Sequence, residues 1–371
     1  MPIKKVILAG GGTGGHIYPA IAIATGLKEA NSETKIIFVG TDRGLETELV
    51  PKAGYELKTI RVRGFKRELS LDTLLSVKDM ILGAIDSIRL LKKEKPDLVI
   101  GTGGYVAGPV IFLAALFKIP TIIHEQNVKP GVTNKLLSNF VDKVLISFSQ
   151  SMQYFPKYKT IITGNPVRKE LSKGIKHVAL AKFGLNPRLP VVLCFGGSQG
   201  ASRLNKAIIE IMDEIIKKRH FQLIHITGIK HYSEIKRKLE NKGIDIARHG
   251  HIIVEPYIYD MQDAYAAADL VIARAGAISI SEICVCGKPA ILVPLPTAAN
   301  RHQDYNAMLL QRAGAGIIIN DNELNGKILL ETIKSIIFDE NYLSKMGKSS
   351  KRLGNPDALD KIMLEIHKLL K

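Results

Sequence analysis

The chain is short of the features that mark several large protein classes. It has three cysteines, Cys194, Cys284 and Cys286, an odd number without C-x-x-C spacing. That excludes a disulfide framework or redox pair and gives no sign of an oxidising compartment; Cys194 and Cys284 lie in apolar contexts and read as core. No apolar run is long enough to cross a bilayer, and the longest, Val106 to Phe117, is interrupted by Gly108-Pro109. Lys4-Lys5 precede an apolar stretch too short for a signal-peptide core. Low-complexity tracts, zinc-finger spacing, aromatic RNA-binding motifs and basic zippers are missing, so nucleic acid is not an expected partner. There is no D-x-D tripeptide and no His/Cys/Asp cluster at metal-ligand spacing, so neither a metal nor another cofactor is expected. A soluble or peripheral protein of the cytoplasm remains.

Acidic residues are also scarce against basic ones, 35 Asp and Glu beside 52 Lys and Arg, a formal net charge of +17. Such a surplus suits phosphorylated substrates or an anionic membrane surface.

What the chain does have is glycine in turns. Val6-Ile7-Leu8-Ala9 runs into Gly10-Gly11-Gly12-Thr13-Gly14-Gly15-His16, and Ile17, Ala20, Ile21, Ala24 and Leu27 then recur at helical spacing. A buried parallel strand, a tight turn and a helix N-terminus that favours an anionic group are predicted. Gly10, Gly12 and Gly15 satisfy G-x-G-x-x-G, but the dinucleotide fingerprint does not explain His16, an acid–base group at the mouth of the loop.

A length of 371 residues suggests two domains. Strands are predicted near Val6–Ala9, Ile36–Val39, Leu98–Ile100, Thr121–Ile123, Val144–Ile146 and Thr160–Thr163. A second series follows at Val191–Phe195, Leu223–Ile226, Ile252–Val254, Leu270–Ala273, Ala290–Val293 and Gly316–Ile319, restarting with its own glycine turn, Gly196-Gly197-Ser198-Gln199-Gly200. Strands alternating with helices predict an α/β protein of two doubly wound, Rossmann-like domains facing a cleft. The boundaries are drawn at 1–165 and 166–341, with a C-terminal helix over about 342–371 returning to the first domain.

Ligands of parallel sheets lie beyond the carboxyl ends of the strands. There the sequence places Gly101-Thr102-Gly103-Gly104-Tyr105, His124-Glu125-Gln126-Asn127 and Arg274-Ala275-Gly276. Each has a bland reading: His124 as an interior histidine, Glu125 as a cap, and Glu282 as partner of Ser279 in an S-x-x-E capping box. Glu282 could equally accept hydrogen bonds from a ribose diol, with Arg274 and the helix N-terminus meeting a phosphate.

The strings GGGTGGHIYPA, GTGGYVAGP, HEQN, GNPVR, GGSQGA, RAGAISISE and HQDYNA occur in this order across residues 10–307. With them the chain resembles the MurG family of bacterial glycosyltransferases. The resemblance implies a GT-B fold and inverting transfer of N-acetylglucosamine from UDP-N-acetylglucosamine to the muramyl C4 hydroxyl of lipid I, forming lipid II. It places the donor against Thr13, Gly14, Gly15, Asn127, Arg168, Ser198, Gln199, Ile258, Ala277, Ile278, Ser279, Ile280, Ser281, Glu282 and Gln303, with Arg274 beside them. Ile258 would meet uracil through its backbone and Glu282 the ribose. Gln303 follows a variable loop, Leu295 to Arg301. Gly12, Gly103, Gly104 and Tyr105 are expected to face the acceptor. His16 is the expected base, with Glu125 orienting it or substituting for it; the alternative is that His16 only hydrogen-bonds an acceptor phosphate.

A lipid acceptor requires contact with the anionic inner leaflet of the membrane. Two segments suit this: Phe65-Lys66-Arg67 with Leu69, Leu71, Leu74, Leu75, Met80 and Ile81, and Val110 to Lys118. Arg61 and Arg63 add basic charge; core packing of both apolar stripes is the alternative. Competing readings are a nicotinamide oxidoreductase using Asp42 and Arg43, another GT-B enzyme such as a diacylglycerol glucosyltransferase or UDP-sugar epimerase, and a non-catalytic membrane-surface protein.

Overall fold

A computed structural model of the chain describes residues 3–63, 71–197 and 200–371, with backbone alone for 71–78. The chain divides into two compact units, Met1–Val167 with Asp357–Lys371, and Arg168–Pro356.

The first unit is built on a seven-stranded sheet of β1 (Lys5–Gly10), β2 (Lys35–Gly40), β3 (Glu56–Thr59), β4 (Leu98–Gly103), β5 (Thr121–Glu125), β6 (Lys143–Ile146) and β7 (Thr160–Ile162). The order is β3-β2-β1-β4-β5-β6-β7, and every neighbouring pair is parallel. Strands β1, β2, β4 and β5 are buried and mostly apolar because both of their faces are covered. Ile7, Ala9, Ile37, Val39, Val99 and Ile123 pack on one side with helix Ala107–Leu116. Val6, Leu8, Ile36, Phe38, Leu98 and Ile100 pack on the other, under helices Gly14–Ala30 and Ala358–Leu369.

The second unit repeats the plan with β8 (Val191–Phe195), β9 (Gln222–Ile226), β10 (Ile252–Glu255), β11 (Leu270–Ala273), β12 (Ala290–Leu292) and β13 (Gly316–Ile318), in the order β10-β9-β8-β11-β12-β13. Helix Ser202–Lys218 shows why it folds so: Leu204, Ile208, Ile211, Met212 and Ile215 form one apolar stripe and are all buried on the sheet. In both sheets the chain order reverses beside the first strand, at β1/β4 and at β8/β11, and these switch points are where ligands bind.

Two features differ from expectation. β3 has no apolar run; Glu-Leu-Lys-Thr is a half-exposed edge strand beside β2, so it needs no core residues on both faces. The expected single helix over 342–371 is two. Helix Glu340–Leu353 stays in the second unit against Ala277–Val285 and Gly326–Ile337, and only Ala358–Leu369 joins the first. Gly354-Asn355-Pro356 separates them, because the residue before a proline disfavours helix. Ile362 and Ile366 then bury completely beside Gly14–Ala30. Among the described residues no helix is long and apolar enough to cross a membrane.

Candidate active site

At the carboxyl end of β1 the chain must leave the sheet, and Gly10-Gly11-Gly12 turn it, with Gly12 at φ +84°. Extended Thr13 then opens helix Gly14–Ala30, placing Gly14 and Gly15 in its first turn. β4 ends in a second turn, with Gly103 at φ +109° and Gly104 at +82°. The turns approach so closely that side chains would separate them. A Cβ on Gly104 would lie 2.6 Å from the Gly11 carbonyl oxygen, and one on Gly103 would lie 2.9 Å from Cδ2 and 3.0 Å from Nε2 of His16. The His16 ring therefore lies across the Gly103 backbone, and the Tyr105 ring edge approaches Gly12.

His16 Nδ1 is 3.0 Å from the Gly11 carbonyl oxygen and 3.4 Å from Thr13 Oγ1. A carbonyl only accepts, so Nδ1 carries a proton, and Nε2 is the nitrogen that has the lone pair whenever the ring is neutral. That is the form a general base requires.

Glu46, the first residue of helix Glu46–Lys52, belongs to none of the sequence motifs and is fully buried. Its Oε2 accepts from the Gly12 N–H at 2.9 Å, and its Oε1 from the Thr41 N–H at 2.9 Å and hydroxyl at 2.8 Å. Burial alone would raise its pKa; the Gly12 and Thr41 N–H groups outweigh burial and hold the carboxyl below its ordinary value. Asp42, the residue a dinucleotide site would use, instead points to solvent beside Arg43. Glu46 already occupies the Gly12 N–H, and Asp42 faces solvent rather than a ribose, which argues against the oxidoreductase reading.

β5 delivers His124 and Glu125, both buried. His124 follows its bland reading: Nε2 donates to the Gly164 carbonyl at 3.0 Å, Nδ1 accepts from Gln126 Nε2 at 3.1 Å, and burial pushes its pKa down to about 4. Glu125 does not serve as the expected substitute base, because its oxygens are occupied. Oε1 accepts from the Asn127 N–H and side-chain amide at 3.0 and 3.1 Å, and Oε2 from the Gly131 N–H and Asn134 Nδ2 at 3.1 and 2.9 Å. It ties down the loop that carries Asn127.

In the second unit, β11 leads through Arg274 to helix Ala277–Val285, whose N-cap Gly276 has no side chain to offer the first N–H groups. The expected capping box is absent: Ser279 lies inside the first turn, and Glu282 is farther along the helix. Glu282 Oε2 instead accepts from the buried Tyr265 hydroxyl at 3.1 Å. Burial raises the Glu282 pKa, opposed by the Arg168 charge and the Tyr265 bond. A half-buried carboxylate short of donors suits a diol.

Other expected donor contacts divide. Ile280 is fully buried in the core, and the Ser281 hydroxyl donates to the Ala277 carbonyl at 2.8 Å, whereas Ile278 and Ser279 are partly accessible. Arg274 is not the expected phosphate ligand: its Nη1 donates to Asp321 at 2.5 Å and to the Val293 and Pro294 carbonyls, and the pair is nearly buried. Exposed Arg168 reaches the Tyr259 carbonyl at 3.4 Å, one residue beyond Ile258. Gln303 Oε1 accepts from the Leu295 N–H at 2.9 Å and so holds the variable loop. Ser198 and Gln199 lie outside the described residues.

The first unit also carries an apolar surface. Helices Leu71–Glu94, Ala107–Leu116 and Val132–Leu137 pack in series and expose Met80, Ile81 and Ile85, then Phe112, Leu116 and Phe117, then Val132, Leu136 and Phe140. Phe112 and Phe140 meet edge to face at 5.0 Å, and Lys118 and Lys135 stand exposed alongside. Val110, Ile111 and Leu113 belong to the core, so the expected second stripe divides by helix face. Arg61 and Arg63 pair with Asp86 at 2.7 Å and Asp79 at 2.8 Å. Phe65 to Leu69 and the side chains of Leu71, Leu74 and Leu75 lie outside the described residues.

Known proteins share this arrangement. Residues 6–146 match the glycosyltransferase family 28 N-terminal domain, and residues 191–362 match the corresponding C-terminal domain. A protein of Acetivibrio thermocellus named UDP-N-acetylglucosamine–N-acetylmuramyl-(pentapeptide) pyrophosphoryl-undecaprenol N-acetylglucosamine transferase is 46% identical over 368 residues, 99% of this chain and 98% of its own. The protein of the same name from Clostridioides difficile is 45% identical over 99% of this chain and 89% of its own. MurG of Acinetobacter baumannii superimposes with a TM-score of 0.77 at 27% identity, over 98% of this chain and 99% of that one. A UDP-GlcNAc 2-epimerase from Neisseria meningitidis, with a TM-score of 0.64 at 17% identity over 98% of this chain and 100% of its own, shares the fold alone. The chain belongs to the MurG family of glycosyltransferases, with the two α/β domains of the GT-B fold.

Proposed function

We propose that this protein transfers N-acetylglucosamine from UDP-N-acetylglucosamine to the muramyl C4 hydroxyl of lipid I, inverting the anomeric centre and producing lipid II. The observation that carries the chemistry is His16, whose Nδ1 is bonded to the Gly11 carbonyl and whose ring lies at the meeting of two glycine turns. Nε2 takes the proton of the acceptor hydroxyl as its oxygen bonds to C1 of the donor sugar. The C1–oxygen bond to UDP breaks, and its electron pair leaves on the diphosphate. In the second unit the Ala277–Val285 N-terminus and Arg168 offset that charge, Glu282 accepts from the ribose, and the Ile258 backbone meets uracil. Gly12, Gly103, Gly104 and Tyr105 face the acceptor. Charge stabilisation by N–H groups and cations leaves no step that calls for a metal.

The apolar surface with Lys118 and Lys135 supports docking on an anionic leaflet at the cytoplasmic face of the membrane. The test is product detection by mass spectrometry after incubating the protein with UDP-N-acetylglucosamine and a lipid I analogue. A disaccharide product is expected; donor consumption without acceptor, giving an epimerised sugar, would contradict the proposal.

A further inference from the structure

We propose that Glu46 is a positioning residue for His16 and acts on it through a single peptide unit. The inference rests on the reading of His16 as the base. The peptide joining Gly11 to Gly12 makes both contacts: its N–H donates to Glu46 Oε2 at 2.9 Å, and its carbonyl accepts from His16 Nδ1 at 3.0 Å. Carboxylate, N–H, C=O and Nδ1–H thus form one hydrogen-bonded chain, all polarised in the same sense. Such chains strengthen cooperatively in a low-dielectric interior. A carboxylate at its end keeps the proton on Nδ1, leaving Nε2 to accept. It also favours the positive charge that His16 acquires when it does so, as a directly bonded carboxylate does in a hydrolase triad.

The local packing is built around this carboxylate. A Cβ on Gly11 would lie 2.6 Å from Oε1, one on Gly40 would lie 2.5 Å from Cγ, and one on Gly44 would overlap the carboxylate itself. Thr41 holds the other oxygen through two bonds, which prevents the group from turning away from Gly12. In Glu46→Gln the amide must face either Thr41 or Gly12 with its NH2, and both present N–H donors. Thr41 offers the stronger pair of donors, so the break falls at Gly12 and cuts the chain.

The tautomer of His16 is read by 15N NMR of the full chain labelled at histidine, with His16→Gln identifying the resonance. Wild-type protein is expected to show the Nδ1–H tautomer, and Glu46→Gln to shift His16 towards Nε2–H. Its kcat is expected to fall by about tenfold or more while donor KM changes by less than about twofold. Thr41→Val, which loosens the carboxylate without breaking its bond to Gly12, should lower the melting temperature and leave the tautomer in place. An Nε2–H tautomer in the wild type, or an unchanged tautomer and kcat in Glu46→Gln, overturns the proposal. If Glu46→Gln does not fold, Glu46→Asp, which keeps the charge but loses the reach to Gly12, is read in the same way. If His16→Ala keeps normal turnover while the tautomer still responds to Glu46, the base assignment fails and the positioning contact stands.

Discussion

Single residues at this site are set by what surrounds them more than by their own type, and that limits what sequence reveals. His16 follows β1 and His124 lies near the end of β5, yet one lies on a glycine turn and the other is sealed inside with its pKa pushed down to about 4. Gly103→Ala puts a methyl group against the His16 ring and forces φ +109° on a residue that resists it. A loss of kcat of roughly tenfold or more is expected, with donor affinity retained. Glu282→Ala should do the reverse, weakening donor binding in a UDP-N-acetylglucosamine titration by about tenfold or more, the usual worth of hydrogen bonds to a charged group. Buried His124 and His225 are both held near 4 by loss of solvation, against about 6.5 for the unfolded chain. Their stabilisation is complete above the unfolded value and is lost as pH falls from 6.5 to 4, by about 3 kcal/mol each. Urea midpoints at pH 7 and pH 5 measure the loss, and His124→Gln should reduce it. Arg274 and Glu46 show what residue type alone does not specify: a cation after a strand predicts a phosphate ligand, but Arg274 pairs with Asp321. Glu46 has no sequence signal beyond the glycines at 40 and 44.

Elements were more legible than their connections. Twelve strands lie where apolar runs predict them, the central ones because a parallel strand covered on both faces must be mostly apolar. β3 escaped because an edge strand carries no such obligation, and the two C-terminal helices because their break depends on Pro356 rather than on periodicity. Helical faces were legible only in part. Leu113 and Phe112 are neighbours in sequence, but Leu113 is in the core and Phe112 is 41% exposed. Replacing Phe112 and Leu116 together by serine should leave the melting temperature nearly unchanged, since neither supports the core. Binding to anionic vesicles should fall by more than about tenfold in sedimentation, given about 1.5–3 kcal/mol for each large apolar side chain buried.

At the scale of the whole molecule, the net charge of +17 predicts that vesicle binding weakens as salt rises and is poor on neutral vesicles. Family membership was legible at this scale because seven short strings, each tied to a strand end or helix start, occur in one order. What they could not show was which side chains are already occupied within the fold, as Glu125 and Arg274 are. The central claim, that His16 deprotonates the acceptor in a transferase needing no metal, is tested most directly by UDP release in excess EDTA. Wild-type protein and His16→Ala are compared with and without a lipid I analogue. Acceptor-dependent release by the wild type, reduced by about a hundredfold or more in His16→Ala with donor KM little changed, is the predicted result. Release abolished by EDTA and restored by a divalent cation, or near-normal turnover by His16→Ala, would contradict it.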